Sequence, residues 1–247
     1  TTGRFNDQFE KELAEFIGIN HLITVNSGSS ANLVAFSTLT SPKLGIRAIK
    51  KGDEVIGVAA GFPTTVNPVV QFGAIPVFVD VDSETHNINA DLVEAAITSK
   101  TKAIMLAHTL GNPFNLEKIK QICEKHHLWL IEDCCDALGA KYNGQHVGTF
   151  GDIACFSFDG IKNITSGEGG CVVSDDKEVL KRIKDARLLG IENDTDKRFS
   201  GKRSWNFDVT KQGWRYHMSN IMAAIGIEQL KRFPILAEKR QNFAKLY

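Results

Sequence analysis

The sequence is 247 residues long, 43% hydrophobic and 23% charged, with a formal net charge of zero. A globular chain of this length buries a large core, and one α/β unit, or one domain with part of a second, is expected. The composition excludes a basic surplus for nucleic acid, a basic amphipathic segment for a membrane surface and any apolar run near the ~18 residues of a membrane span.

The opening "TTGRFNDQFEKE" has no apolar core of a secretory leader, and "FNDQFEKELAEFIG" within it carries helical apolar spacing that ends on glycine. "HLITVNSGSSANLVAFSTL" predicts a short strand, a tight turn and a helix. "DEVIGVA" predicts a strand, "FPTTVNPVVQFG" a short helix ending at Gly73, and "IPVFVDVD" a strand. "NADLVEAAIT" predicts a helix, "TKAIMLAH" a strand, "NLEKIKQICEKHH" a helix and "LWLIED" a strand. This alternation is the signature of a mostly parallel sheet with helices on both faces. "DIACFSF" and "GGCVVSDD" predict two more strands, and "DKEVLKRIKDARLLG" a helix. A polar surface loop is expected over residues 192–213. The sequence begins without methionine and closes inside the helical run "SNIMAAIGIEQLKRFPILAEKRQNFAKLY", so a longer parent chain is expected. The five cysteines, Cys123, Cys134, Cys135, Cys155 and Cys171, have no zinc spacing; free, mostly buried thiols of a reducing cytoplasm and no metal site are expected.

Ligands of open parallel sheets bind beyond the carboxyl ends of the strands. Gly28, Ser29 and Ser30 follow "LITV", Phe62 follows "VIGVA", His108 follows "AIMLA", Asp133 ends "LWLIED" and Lys162 follows "CFSF", so one crevice should receive them all. Each has a plain reading too. The serines of "NSGSSAN" suit a helix N-cap as well as an anion cradle, and the motif is neither a Walker loop nor GxGxxG. Glu132 and Asp133 suit a turn cap, a cation or a protonated ring nitrogen. Phe62 suits a core, His108 a satisfied structural histidine, and Ser157 a strand-end hydroxyl bonded to backbone. Lys162 is the least ordinary: an amine held in apolar surroundings has a lowered pKa and attacks carbonyls. An anion cradle, a carboxylate, an aromatic face and a lysine together are the set that pyridoxal phosphate needs.

The motifs "NSGSSAN", "AAGFPTTVNPV", "PVFVDVD", "AHTLGNPFNL", "LIEDCCDALGA", "GTFGDIACFSFDGIKNITSGEGG" and "QGWRYHMSNIMAAIGIEQL" occur in that order. Over essentially its whole length the chain resembles the pyridoxal-phosphate-dependent sugar aminotransferases of the DegT/DnrJ/EryC1/StrS group. The resemblance implies an aspartate-aminotransferase-like, fold type I, large domain over residues 1–247, with a small C-terminal domain missing or only begun at the end. It implies that Lys162 forms the Schiff base with pyridoxal 5'-phosphate and that Asp133 holds the pyridine nitrogen. Phe62 would stack on the ring, Gly28, Ser29 and Ser157 would hold the phosphate with Ser30 beside them, and His108 would line the pocket.

Two positions depart from the family's pattern. Asp136, near the cofactor's phenolic oxygen, stands where glutamine is usual; it would oppose a phenolate unless paired or turned away. Arg215, in Gly213-Trp214-Arg215, stands where an asparagine reaches the phosphate of the neighbouring subunit, and its charge suits the same contact. The implied activity moves an amino group, usually from glutamate, to a nucleotide-linked keto-deoxysugar in lipopolysaccharide O-antigen or deoxyaminosugar synthesis. The implied assembly is a cytoplasmic homodimer with shared sites and no nucleic acid or membrane partner. "TTGRFNDQFE", "LTSPKLG" and "EDCCDALGAKYNG" also resemble a cousin, the 3-dehydrase of CDP-linked 4-keto-6-deoxyhexoses, which carries histidine where this chain has Lys162. That lysine puts the aminotransferase first, the dehydrase second and a non-catalytic relative third.

Overall fold

A computed structural model describes residues 2–191, 209 and 211–246. Helix α1 (Arg4–Ile17) leads into β1 (Leu22–Val25) and α2 (Gly28–Leu39). Strand β2 (Glu54–Gly57), α3 (Pro63–Gln71) and β3 (Ile75–Phe78) come next, then the one-turn α4 (Ala90–Val93), β4 (Thr101–Ala107), α5 (Leu116–His126) and β5 (Trp129–Asp133). A hairpin of β6 (Lys141–Tyr142) and β7 (Gln145–His146) precedes β8 (Ile153–Ser157), β9 (Gly170–Val173), α6 (Lys177–Arg187) and α7 (Asn220–Ala244).

Among the described residues, seven strands form one sheet in the order β1-β9-β8-β5-β4-β2-β3. Strands β3, β2, β4, β5 and β8 are parallel, and β9 runs antiparallel between β8 and β1. Successive side chains of a strand face opposite sides, and β4 shows it. Ile104 and Leu106 join one core with Phe9, Leu13, Leu116 and Ile227, drawn from α1, α5 and α7. Ala103 and Met105 join the other with Phe36, Val69 and Ile183, from α2, α3 and α6. Helices therefore cover both faces, as the alternating pattern predicts.

Polar contacts fix the sheet edge and helix α2. At the free edge of β1, Glu10 Oε1 accepts from the Thr24 N–H and hydroxyl, both at 2.8 Å, so the unpaired edge meets a charge rather than another strand. Helix α2 is tied at both ends by the segment before α7. Asn26 N–H donates to the Tyr216 carbonyl at 2.8 Å, just ahead of the helix. Lys211 Nζ donates to the Ser37 carbonyl at 2.6 Å and to Thr40 Oγ1 at 2.5 Å, at its end, and burial lowers that amine's pKa to about 8.

The structure trims several expected elements. "IPVFVDVD" pairs only over Ile75–Phe78, after which Val81 makes a lone bridge to Ile88. "NADLVEAAIT" gives one α turn and a short 3-10 turn, because Thr98 leaves the helix to donate to Glu54 Oε2 at 2.5 Å. The Asn143-Gly144 hairpin, both residues left-handed, is an addition to the expected elements. Of the expected surface loop, residues 192–208 and 210 lie outside the described residues.

Phe9 is fully buried, meets Phe158 edge-on at 5.2 Å, and lies so close to Gly226 of α7 that a Cβ there would come within 2.8 Å of its ring. Phe9→Ala should lower stability by about 3–5 kcal/mol. Ile46→Ala, at a side chain 92% exposed, should change it by no more than about 0.5 kcal/mol. Denaturant midpoints of the two variants against the parent measure the difference.

Candidate active site

A cleft of about 360 Å³ opens where β4, β5 and β8 end, and Gly28, Ser29, Phe62, His108, Asp133, Asp136, Ser157 and Lys162 all line it. Two of the expected residues are elsewhere. Ser30 is buried and serves the turn itself, its N–H donating to Ser27 Oγ at 3.1 Å and its hydroxyl accepting from Ser27 at 3.0 Å. Arg215 is exposed on a bridge to Leu188 and lines no part of the cleft.

The anion cradle is the first turn of α2. Ser27 is the N-cap; with Ser30 N–H bonded to it, the Gly28 and Ser29 N–H groups are left without a partner among the described residues. Gly28 has to be glycine, since a Cβ there would stand 2.6 Å from Ser157 Cβ and 3.0 Å from Cys135 Sγ. Backbone donors, the helix dipole and the Ser157 hydroxyl at the end of β8 thus share one small space. Across the cleft Phe62, the N-cap of α3, is 68% exposed. A phenyl ring with that much open surface on a cleft wall has a face to offer a flat ligand.

Asp133 is buried and held in one orientation. Its Oδ2 accepts from Asn32 Nδ2 and Thr65 Oγ1, both at 2.7 Å, and its Oδ1 from Cys135 N–H at 3.1 Å. Neither Asn32 nor Thr65 is among the residues expected at the site. Asn32 lies four residues after Gly28, on the same face of α2 as the cradle, which is the signal that finds it. Glu132 turns the other way and is fully buried. It accepts from Gly148, Phe150 and Gly151 N–H groups at 2.8, 2.9 and 2.6 Å, and lies 3.0 Å from His108 Nε2. The His108 ring stacks on Phe114 at 4.4 Å, and its Nδ1 is a buried polar atom without a protein partner among the described residues. His108, Glu132 and Cys134 offer ligand atoms within 4.8 Å of one another. Both carboxylate oxygens, however, already serve backbone N–H groups. Burial pushes the thiols of Cys134, Cys135, Cys155 and Cys171 well above their ordinary range.

Lys162 sits in the loop between β8 and β9. Its N–H donates to the Asp159 carbonyl at 3.0 Å, Asn163 Nδ2 reaches the Leu138 carbonyl at 2.8 Å, and Ile164 is buried, so the loop is anchored on both sides of the lysine. Nζ lies 2.6 Å from Asp136 Oδ1. The expectation of a lowered lysine pKa is reversed here. Burial pushes the amine down, but the hydrogen bond and charge of Asp136 outweigh it and hold the pKa above the ordinary value. The second carboxylate of this cleft, Asp136, is therefore partnered.

The aromatics around Arg215 pack within the chain. Trp214 stacks on Tyr216 at 5.8 Å and meets Phe72 edge-on at 6.2 Å, and both aromatics pack against the second core. They are occupied within the chain.

The residues present fit pyridoxal phosphate: a cradle at a helix start, a fixed carboxylate, an open aromatic face and an amine on one cleft. The profile of the DegT/DnrJ/EryC1/StrS aminotransferase family matches residues 1–247. The chain is 53% identical to the lipopolysaccharide biosynthesis protein RfbH of Salmonella typhimurium, over all of this chain and 60% of that one. It is 44% identical to a dTDP-4-dehydro-2,6-dideoxy-D-glucose 3-dehydratase of Saccharopolyspora spinosa, over 97% of this chain and 55% of that one. Among solved structures it is similar to Helicobacter pylori PseC, an aminotransferase involved in the biosynthesis of pseudoaminic acid. That match has a TM-score of 0.87 and 31% identity, over 98% of this chain and 61% of that one. The chain spans about three fifths of the length of the curated relatives it matches.

The bonds around Glu132 give a pH signature. Burial raises its pKa, but the hydrogen bond and charge of His108 and the N–H groups of Gly148 and Gly151 outweigh that and hold it below the ordinary 4.5. A depressed folded-state pKa contributes stability that is present above the ordinary value and lost as pH falls through it. Glu132→Gln should cost about 1–3 kcal/mol at neutral pH, since an amide nitrogen cannot accept from the facing N–H groups. The variant should then lose less stability than the parent on acidification below about pH 4.5. Denaturant melts at a series of pH values measure both effects.

Proposed function

Because the chain belongs to the DegT/DnrJ/EryC1/StrS aminotransferase family, whose cofactor is pyridoxal 5'-phosphate, we propose that residues 1–247 are the cofactor-binding large domain of a nucleotide-sugar aminotransferase. The observation that carries this reading is Lys162 Nζ in the same cleft as the helix-start cradle, the fixed Asp133 and the open ring of Phe62. The proposed substrates are an amino-acid donor, glutamate, and a nucleotide-linked keto-deoxysugar. The product serves surface polysaccharide, in keeping with the lipopolysaccharide role in the name of the relative at 53% identity.

Bound in the cleft, pyridoxal phosphate supplies an aldehyde and a ring that takes up electrons. Gly28 and Ser29 N–H groups and the Ser157 hydroxyl hold the phosphate. Asp133 accepts from the protonated ring nitrogen, and Asn32 and Thr65 keep its carboxylate aimed. Phe62 covers one ring face and excludes water from it, and His108 closes the wall behind. Lys162 is the anchoring amine, and its freed Nζ carries a proton as general base and then as general acid. The proposed location is the cytoplasm, in keeping with cysteines that are all free thiols.

The second reading is a 3-dehydratase, favoured by the relative of that name at 44% identity. Lys162 favours amino transfer. Incubating the full-length protein with glutamate and a panel of nucleotide 3-keto and 4-keto sugars, with products read by mass, separates the two. An amino sugar supports the first reading, a deoxygenated sugar the second. Lys162→Ala should abolish turnover and keep part of the cofactor affinity, because the cradle and ring contacts remain. Asp133→Asn should lower turnover much further than cofactor occupancy. Equal turnover in Asp133→Asn and the parent would leave Asp133 as a turn cap.

The proposed assembly is a homodimer in which Arg215 contacts the phosphate of the other subunit's site; its exposed position outside its own cleft supports that reading. Such a contact is worth roughly 1.5–3 kcal/mol, a ten- to hundredfold change in cofactor affinity, against roughly 0–1 kcal/mol for a solvated charge. Mixing inactive Lys162→Ala and Arg215→Ala chains should restore part of the activity, since a mixed dimer then has one site with neither lesion. No recovery would confine each site to one chain.

A further inference from the structure

Lys162 and Asp136 form an uneven pair. The lysine side chain is 17% exposed and the aspartate 49%, with 2.6 Å between Nζ and Oδ1. The lysine is thus the more buried partner of the pair and the aspartate the more exposed. Asp133, the other carboxylate acting on it, has accepted three donors and lies fixed in the cleft floor. We infer that Asp136 is a positioning residue for Lys162: it holds the amine as an ammonium and so sets the pH range in which the cofactor's aldehyde can bond to it. This inference rests on the pyridoxal-phosphate reading of the cleft.

An ammonium has no lone pair, so Lys162 must first give one proton to the Asp136 carboxylate, from which it passes to water. The free amine then attacks the aldehyde carbon. A C=N bond replaces the C=O bond, and the oxygen leaves as water with the two remaining amine protons. Only the deprotonated fraction reacts, and that fraction changes tenfold for each pH unit below the amine's pKa. The groups that face Nζ all act on the same equilibrium. Asp136 and Cys135 from the loop after β5 and Asp133 at its end favour the charged form, and burial opposes it. Asp159 on the lysine's own loop, Glu168 ahead of β9 and His108 after β4 complete the titratable lining. Asp136 is the one bonded to Nζ, so its removal shifts the balance furthest. A solvated ion pair of no consequence is the alternative; the short 2.6 Å contact and the largely covered lysine side chain argue against it.

Two measurements on the full chain test this. In the first, protein stripped of cofactor is mixed with pyridoxal 5'-phosphate over a pH series and the rise of the visible absorbance band is timed. The parent's rate should climb about tenfold per pH unit through the neutral range. Asp136→Asn should load faster at pH 7, with its profile displaced to lower pH, and Asp136→Glu should restore the parent profile. In the second, acetic anhydride labels the cofactor-free protein over the same series. Peptide masses then give the midpoint for Lys162, with exposed Lys11 as the internal standard. The midpoint should fall in Asp136→Asn while that of Lys11 stays put. Identical profiles and midpoints in parent and Asp136→Asn would overturn the inference, and so would slower loading by a folded Asp136→Asn. A parent that develops no band at any pH would overturn the cofactor reading and the loading step with it. The labelling midpoints decide the ion pair in either case.

Discussion

Two carboxylates, Glu132 and Asp133, lie side by side at the buried end of β5 and point to opposite faces of the sheet. An ionised carboxylate taken out of water is tolerated only when donors replace the lost hydration. Each acid therefore dictates the structure on its own side. Glu132 gathers the Gly148–Gly151 loop and the His108 ring. Asp133 gathers Asn32 of α2 and Thr65 of α3. The two helices that carry the cradle and the aromatic wall are thus referred to one fixed point, a strand end in the middle of the sheet.

The same constraint explains why the cleft is small and well defined. Gly28 has no room for a Cβ because Ser157 presses against it, and Ser157 is placed by the pairing of β8 with β9 at Gly170. Gly170 in turn lies against the Ser27 and Phe156 carbonyls, where a Cβ would come within 2.7 Å of each. Two glycines and a serine from three elements meet at contact distance, and the unpartnered N–H groups of α2 look into what remains. Lys162 enters from a loop with its own anchors, so its position owes little to the ligand.

Much of this was legible in the sequence, and the reasons are local. Apolar strands that each end on a polar residue place Asp133, His108 and Ser157 at one end of the sheet before any contact is known. Alternating periods of two and 3.6 give the layered fold. What could not be read were relations between distant residues. Asn32 is 101 positions from Asp133, and Thr65 is 68 from it. The sign of the Lys162 shift turned on Asp136, 26 positions away and known only as an unusual residue. The packing of Trp214 against Phe72, far off in the chain, is another such relation. The extra length given to β3 and α4 came from reading apolar content as pairing, whereas Val81 and Thr98 find other partners.

Helix α2 is held at its start by the Tyr216 carbonyl and at its end by Lys211, both from one stretch of chain that runs alongside it. A rod clamped at both ends can neither slide along its axis nor tilt. The direction of the two open N–H groups is then decided when the chain folds, and an arriving anion finds them already aligned. Little conformational entropy is left to lose on binding, so the attraction of the cradle appears almost whole in the affinity. The tether is made of residues remote from the cleft in sequence that do not line it. Loosening it would weaken anion binding through motion of the helix, with every atom that touches the anion unchanged.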